Sequence, residues 1–472
     1  MKAVDLALKA IALALLASIA VTALHDVSQA WDSGYYHLPF AARLGGIVPR
    51  EAYVLSPANR GRFGGFPLLG ELVQGILWRL TGRPSGANLL AFASVPFFAW
   101  FLRRSFAVPA HLTVLGLLAV PLVQTHVTST YVDLPANAAL AALLLIAVRA
   151  WASPEETSWR RVLGAIAAAT LAANLKTLTH PMVALAFVAL GARLVQASAD
   201  RRERVRKVLA MVASLPLLVS IPLKNLAIWG NPYYPVEMRV LGRVLPGIDT
   251  PYSSSPDWLD AAPGPVRFAC SLLELGVRPF SSADRWTVDQ WMPPGSDGAR
   301  MGGFFNAYVI ANLVLLVVRA VREREGPARR TAAAFAALTF ATSWMPQSHE
   351  LRYHLQWMIT LVGINLWLAC REGAPRIPAT PAALGVGTAI ATGVVIAVTG
   401  AAWVRPSGST LDELVARRVD RAAIDRIPAG SRVCVRRAPY TWLWASPFNG
   451  AKPYVVVEAD RAEECADAED VP

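Results

Sequence analysis

Residues 132–150 read VDLPANAALAALLLIAVRA. The run is long enough, as a helix, to approach the roughly 20 residues that cross a hydrocarbon core. Its one acidic residue, Asp133, stands at the start and not in the middle. Ten further blocks have the same character: 4–24, 86–102, 108–125, 161–178, 182–199, 208–228, 301–320, 331–346, 354–370 and 380–403. The whole composition agrees. Of 472 residues 54% are hydrophobic and only 17% charged, with a mean hydropathy of +0.39, whereas soluble domains carry about a quarter charged residues. The blocks predict an all-α polytopic membrane protein with about eleven transmembrane helices.

The net charge is +12, which in a soluble chain would suggest nucleic acid. Here most Lys and Arg fall in short loops between apolar blocks, as the positive-inside bias produces. Topology, and no nucleic-acid partner, accounts for the charge. Lys2 and Lys9 put the N-terminus in the cytoplasm, and the basic loops at 103–104, 160–161, 201–207, 319–330 and 371–376 face the same side. Parity then requires that residues 66–81, FPLLGELVQGILWRLT, do not span; this stretch reads as an interfacial or re-entrant helix. Ser28-Gln29-Ala30 resembles a signal-peptidase site, but the apolar run before it is longer than a signal core and reads as an uncleaved anchor. The expected location is the cell membrane, a bacterial plasma membrane, with the working face on the extracytoplasmic side.

Three segments stand outside the helices of a membrane module spanning 1–403: external loop one (about 25–84), external loop two (about 229–300), and a tail, 404–472, expected to form a small extracytoplasmic α/β domain. The tail reads as a helix over 411–427, a turn at Pro428-Ala429-Gly430, and strands over 432–436 and 454–458. Cys434 and Cys465 both lie in it, where an oxidising compartment permits a bridge, two free thiols being the alternative. There is no internal repeat, CxxC pair, Walker loop or dinucleotide fingerprint.

Ionisable residues in or beside spanning helices are expensive and need a partner or a task. Five fall near the predicted external surface: Asp32 (AWDSGYYHLPF), Asp133 (STYVDLPANAAL), Lys176 (AANLKTLTHPM), Lys224 (PLKNLAIWGNPYYP) and Arg352 (SHELRYHLQW). Two carboxylates and three cations at one depth suit an anionic, membrane-borne substrate. Arg and Lys hold a lipid phosphate, Arg through forked hydrogen bonds. Fixed cations stabilise the charge left on phosphate when a sugar–phosphate bond breaks, and a carboxylate accepts the proton of an acceptor hydroxyl.

These pieces resemble a family. Trp31-Asp32 with Tyr36-His37-Leu38-Pro39, the Thr130–Pro135 stretch, Gly230-Asn231-Pro232-Tyr233-Tyr234-Pro235 and Arg352-Tyr353 are similar, in order and on the expected side, to elements of the GT-C membrane glycosyltransferases. That superfamily includes protein O-mannosyltransferases and aminoarabinose transferases, which use polyprenyl-phosphate-linked sugars. The resemblance implies an inverting transfer from a polyprenyl-phosphate-linked sugar donor to an extracytoplasmic lipid, glycan or protein acceptor, among membrane lipids. Asp32 takes the first-loop base role, with Asp133 as a second catalytic carboxylate. Arg352, Lys176 and Lys224 are candidates for the donor phosphate. Many members carry two adjacent acidic residues in the first loop; here Ser33 follows Asp32, which leaves a divalent cation open.

Plainer readings stand beside these. Asp32 and Asp133 suit helix caps, Lys176 and Lys224 suit anchors at the headgroups, and Arg352 suits a solvated pair with Glu350. Asp26 is a second candidate base. His37 and His349 could join Asp32 or Glu350 around a metal, although their spacing matches no standard motif. Trp229 to Pro235 reads as an aromatic belt meeting a turn, Glu71 as a water-facing residue or a lining of the groove, and Tyr36, Tyr53 and Trp291 as possible sugar platforms. The competing functions are a secondary membrane transporter for an anionic substrate and a non-catalytic subunit that presents its tail. Against transport, the charges sit at helix ends and no two halves match.

Overall fold

The structure is a computed structural model that describes residues 2–153, 157–197, 200–240, 242–250, 261–273, 303–323, 326–371, 380–401, 403–406, 410–436, 439–465 and 469–471. Each apolar block is helical over most of its described residues. In chain order the first eleven helices are α1 (Lys2–His25), α2 (Leu38–Leu44), α3 (Pro57–Gly65), α4 (Leu69–Thr81), α5 (Leu89–Phe106), α6 (Ala110–Leu118), α7 (Pro121–Val127), α8 (Asp133–Ala152), α9 (Trp159–Leu175), α10 (His180–Ala197) and α11 (Arg201–Trp229). Helices Asn306–Arg322, Pro327–Ser343, Leu355–Cys370 and Pro381–Val398 complete the bundle. Among the described residues six helices are long and apolar enough to cross a membrane, or seven if α6 and α7 make one span.

That last pair corrects the expectation for 108–125, which is not one straight helix. The chain bends by 99° between α6 and α7. Pro121, at the first turn of α7, has no N–H to continue the α6 ladder and would clash with the preceding turn. Gln124 Nε2 donates to the Leu118 carbonyl at 2.6 Å, so an acceptor freed at the end of α6 is satisfied.

α8 is the axis of the bundle. It is buried along almost its whole length, and α9, α10, α5 and helix Leu355–Cys370 pack around it. The polar contacts divide the bundle into two ends. At one, His111 meets Asp5 at 3.2 Å, Arg193 Nε donates to the Ala150 carbonyl at 2.8 Å, and Arg371 pairs with Glu323. The other end carries the start of α8, the end of α9, the first loop and the tail.

The first loop is a folded unit. A π-helical turn, Ser33–His37, runs directly into α2. α2 and α4 cross where Gly45 faces Gly75: a Cβ on Gly75 would lie 2.3 Å from the Ala41 carbonyl oxygen, and one on Gly45 2.7 Å from that of Gly75. Only backbone fits there. α4, the core of the 66–81 stretch, has 13 residues, about 20 Å of helix at 1.5 Å per residue, too short to cross. The water-facing reading of Glu71 does not hold, since its side chain is only 3% exposed.

The tail's sheet takes in a strand of the first loop. The sheet has the order β1-β5-β4-β6, with β4 (Arg432–Val435), β5 (Val455–Glu458) and β6 (Glu469–Val471) from the tail. The outer strand β1 is Tyr53–Val54 of the first loop, pairing in parallel through Tyr53↔Val456 and Val54↔Val457. Trp78 of α4 packs on Trp442 and Phe448 of the tail, at 6.0 and 5.7 Å between ring centroids. The single helix expected over 411–427 is two, Leu411–Arg418 and Arg421–Arg426, because Asp420 leaves the helical conformation and accepts from Ala422 N and Ala423 N, capping the second. Cys434 and Cys465 form the disulfide, with Cα atoms 5.5 Å apart, while Cys270 and Cys370 are free.

In the second loop Trp229 stacks on Tyr234 at 4.3 Å, and a short antiparallel hairpin joins β2 (Met238–Val240) to β3 (Arg243–Leu245). Helix Gly264–Leu273 accounts for part of the amphipathic stretch near 256–275. Residues 251–260 and 274–302, with Trp291, lie outside the described residues.

The α2–α4 crossing makes a direct prediction. Gly75→Ala should destabilise the protein by about 1–3 kcal/mol through overpacking. Gly387→Ala, exposed with nothing within 4 Å of its Cβ position, should be neutral or slightly stabilising as a helix-propensity gain. Thermal unfolding of the two variants in detergent checks both.

Candidate active site

Four of the five singled-out charges come together at the end of the bundle that carries the loop and tail. Asp133 opens α8 and forms an ion pair with Lys176, the residue after α9. Arg352 Nη1 lies 3.9 Å from Asp32 Oδ2. Two tyrosines join the pairs. Lys176 Nζ lies 4.6 Å from the centroid of the Tyr353 ring. The Arg352 guanidinium lies 4.7 Å from that of Tyr353 and 5.7 Å from that of Tyr131, and it donates to the Tyr353 hydroxyl at 2.9 Å.

Local structure fixes these positions. Asn137, one helical turn after Asp133 and on the same face, donates to the Asp133 carbonyl at 2.8 Å and the Arg352 carbonyl at 3.4 Å. Its Oδ1 accepts from Gln356 N at 3.0 Å. The start of α8 is thereby tied to the 352–356 segment. Asp32 stands at the mouth of the π-turn, a distortion often found at functional sites.

The two carboxylates differ. Asp133 is 5% exposed and paired with Lys176, so it is neutralised in place. Asp32 is 29% exposed, and its distance to Arg352 is too long for a direct hydrogen bond. Burial pushes the Tyr36 and Tyr353 hydroxyls well above their usual range, with the Asp32 charge adding to the effect on Tyr36. Both stay protonated at neutral pH and can donate to an anion. The site therefore offers two cations, phenol donors and one accessible carboxylate.

The other candidates fall elsewhere. Lys224 does not join the cluster: its ammonium donates to the Gly64 carbonyl at 2.5 Å and sits 5.6 Å from the Trp229 ring centroid, as a side chain anchored at an aromatic belt would. Asp26 pairs with His25 at 2.7 Å. His37 is not beside Asp32 as a metal ligand; its Nδ1 meets Glu71 Oε1 at 2.7 Å, both side chains buried. Nor is Glu350 solvated, as a pair with Arg352 on the loop surface would require. Glu350 is buried with His349 at 3.8 Å, while Arg352 faces Asp32. Tyr53 is buried in the seam between β1 and the tail. Among the described residues no three His, Cys, Asp or Glu side chains gather to hold a metal ion.

Sequence reading passed over Tyr131 and Asn137 as single residues, and over the His37–Glu71 pair. The last had a signal: one carboxylate in an otherwise apolar helix needs a partner if it is buried. Tyr131 lay inside the Thr130–Pro135 stretch without being singled out, and Asn137 had no signal, because an uncharged residue beside a helix start is ordinary.

Among the described residues, fold and site together define a helical bundle with six or seven helices long and apolar enough to cross a membrane, capped at one end by the first loop and the sheet of the tail. The chain is similar in structure to ArnT from Cupriavidus metallidurans in the apo state, with a TM-score of 0.55 and 14% identity, over 98% of this chain and 86% of that chain. It is similar too to ArnT from the same organism bound to undecaprenyl phosphate, with a TM-score of 0.53 and 13% identity, over 99% and 89% of the two chains. No protein-family model matches the sequence, and no curated protein matches it. At such identity the likeness is one of fold.

Removing one member of the buried Asp133–Lys176 pair should be worse than removing both charges. Lys176→Met should destabilise the protein by about 3–5 kcal/mol by leaving a buried carboxylate unpaired. Asp133→Asn with Lys176→Met should recover more than half of that loss, as read by unfolding midpoints in detergent.

Proposed function

We propose that this chain is a membrane glycosyltransferase that moves a sugar from a polyprenyl-phosphate donor to a hydroxyl of an acceptor on the extracytoplasmic side, with inversion at the anomeric carbon. The observation that carries the reading is the meeting of the Asp32–Arg352 and Asp133–Lys176 pairs around Tyr131 and Tyr353 at one end of the bundle. The likeness to a structure bound to undecaprenyl phosphate supports a lipid-linked donor of that type.

In this reading Arg352 and Lys176 hold the donor phosphate. Arg352 supplies directed N–H groups, and Lys176 a compact charge kept in position by Asp133. The acceptor hydroxyl enters beside Asp32. As its oxygen forms a bond to the anomeric carbon, its proton passes to the Asp32 carboxylate. The bond from that carbon to the phosphate oxygen breaks, and the electron pair leaves with the phosphate. Arg352, Lys176 and the Tyr353 hydroxyl stabilise the charge that develops there, as donors fixed in place before the reaction do. Attack opposite the leaving phosphate inverts the configuration. Asp133 orients Lys176 and is a poor base, since its proton affinity is spent on that ion pair. Lys224 is left as an anchor.

Asp32→Asn should abolish transfer, lowering it by at least about a hundredfold, with binding of undecaprenyl phosphate retained. Arg352→Gln should weaken that binding by roughly tenfold or more. The measurements are mass spectrometry of extracytoplasmic glycans, lipids and proteins from cells with each variant, and native mass spectrometry of purified protein with undecaprenyl phosphate. A sugar modification that depends on the protein yet persists with Asp32→Asn would contradict the assignment.

A further inference from the structure

The π-turn that carries Asp32 is held by the tail at four places. Tyr440 Oη donates to the Gln29 carbonyl at 3.2 Å. Gly34 packs so closely on the tail that a Cβ there would lie 2.9 Å from the Pro439 carbonyl oxygen. Tyr35 Oη donates to Asp460 Oδ1 at 2.8 Å. The fourth contact runs through Glu458, at the end of β5. Its Oε1 accepts from Asn59 Nδ2 at 2.8 Å and its Oε2 from Ser56 N at 3.2 Å. The same Asn59 amide donates to the Tyr35 carbonyl at 3.0 Å, and Asn59 Oδ1 accepts from Arg62 at 3.0 Å.

We infer that the tail is a working part of the site, and that Glu458, acting through Asn59, is a positioning residue that sets the π-turn and hence the place of the Asp32 carboxylate. The inference rests on the reading of Asp32 as the base. A tail that only presented itself to partners would not need a buried carboxylate on this seam. Glu458 is 3% exposed, and burial pushes its carboxyl up to about 7 against the ordinary 4.5, opposed by the Ser56 and Asn59 donors. Charge is expensive at this position unless both donors are met, so the carboxylate selects one arrangement of Ser56, Asn59 and Tyr35. The ionised form offers two acceptor oxygens, whereas glutamine has one, so in either orientation its NH₂ confronts one of the two donors.

The test uses the full-length protein in detergent, with Glu458→Gln, the milder Tyr35→Phe, and Asp425→Asn, an exposed tail residue, as control. Amide hydrogen exchange over residues 30–40 should quicken on the order of tenfold in Glu458→Gln and less in Tyr35→Phe, with the spanning helices and the control unchanged. Undecaprenyl phosphate should bind Glu458→Gln as it binds wild type, while transfer falls on the order of ten- to a hundredfold, as misplacement of a reacting group produces. Unchanged exchange over 30–40 in both variants would overturn the clamp whatever the activity. So would unchanged transfer by Glu458→Gln where Asp32→Asn abolishes it. Transfer that survives Asp32→Asn would instead refute the assignment of the base, with the exchange data still judging the clamp.

Discussion

A carboxylate buried where a membrane helix begins must have a cation within hydrogen-bond reach, and that demand organises the working end of this protein. Asp133 and Lys176 stand 43 residues apart in sequence, at the start of α8 and just past the end of α9. Their ion pair fixes how the end of α9 meets the start of α8. Asn137 carries the same constraint across to the Arg352 segment, so three elements of the bundle share one register. A pair this buried is strongly destabilising when broken and only weakly stabilising when made. Its contribution is to specify a geometry, in which Lys176 faces Tyr353.

In the proposed reading the chemistry falls to a different carboxylate. Asp32 comes from a folded loop that is not part of the bundle, and meets Arg352 across a gap wider than a hydrogen bond. One acid is thus locked and one is free to change partners. A site that must hold an anion while accepting a proton needs both kinds. The first loop can place Asp32 only because it is itself built on the tail: β1 is a strand of the tail's sheet, and Trp78 is buried against Trp442 and Phe448. Loop and tail are a single folded cap, although most of the helical bundle lies between them in the chain.

Much of this was legible in the letters. Helices reveal themselves by blocks of apolar residues, and all eleven blocks are helical over most of their described residues; Asp32, Asp133, Lys176 and Arg352 stood out because charge at a helix end has few cheap explanations. What was not legible depended on tertiary partners. Pro121 lay in plain view within an apolar run, yet its consequence, a 99° bend, depends on neighbours that accept the turn. Lys224, like Lys176, is a lone lysine toward the end of an apolar run, and only the folded positions of Gly64 and Trp229 show that it stands apart from the cluster. Asp420 divides the tail helix by a cap that composition alone does not require. Glu458 ends a β-strand with nothing in its surroundings in sequence to mark it as buried, because the residues it holds, Ser56 and Asn59, are 400 positions away in the chain.

Electron cryo-microscopy of the protein with undecaprenyl phosphate tests the account most directly. The account predicts phosphate density within hydrogen-bond distance of Arg352 and Lys176, beside Tyr353, with the Asp32 carboxylate facing the open side of the same pocket. Phosphate density at Lys224 and Trp229, with Arg352 and Lys176 left in contact only with Asp32 and Asp133, would contradict it.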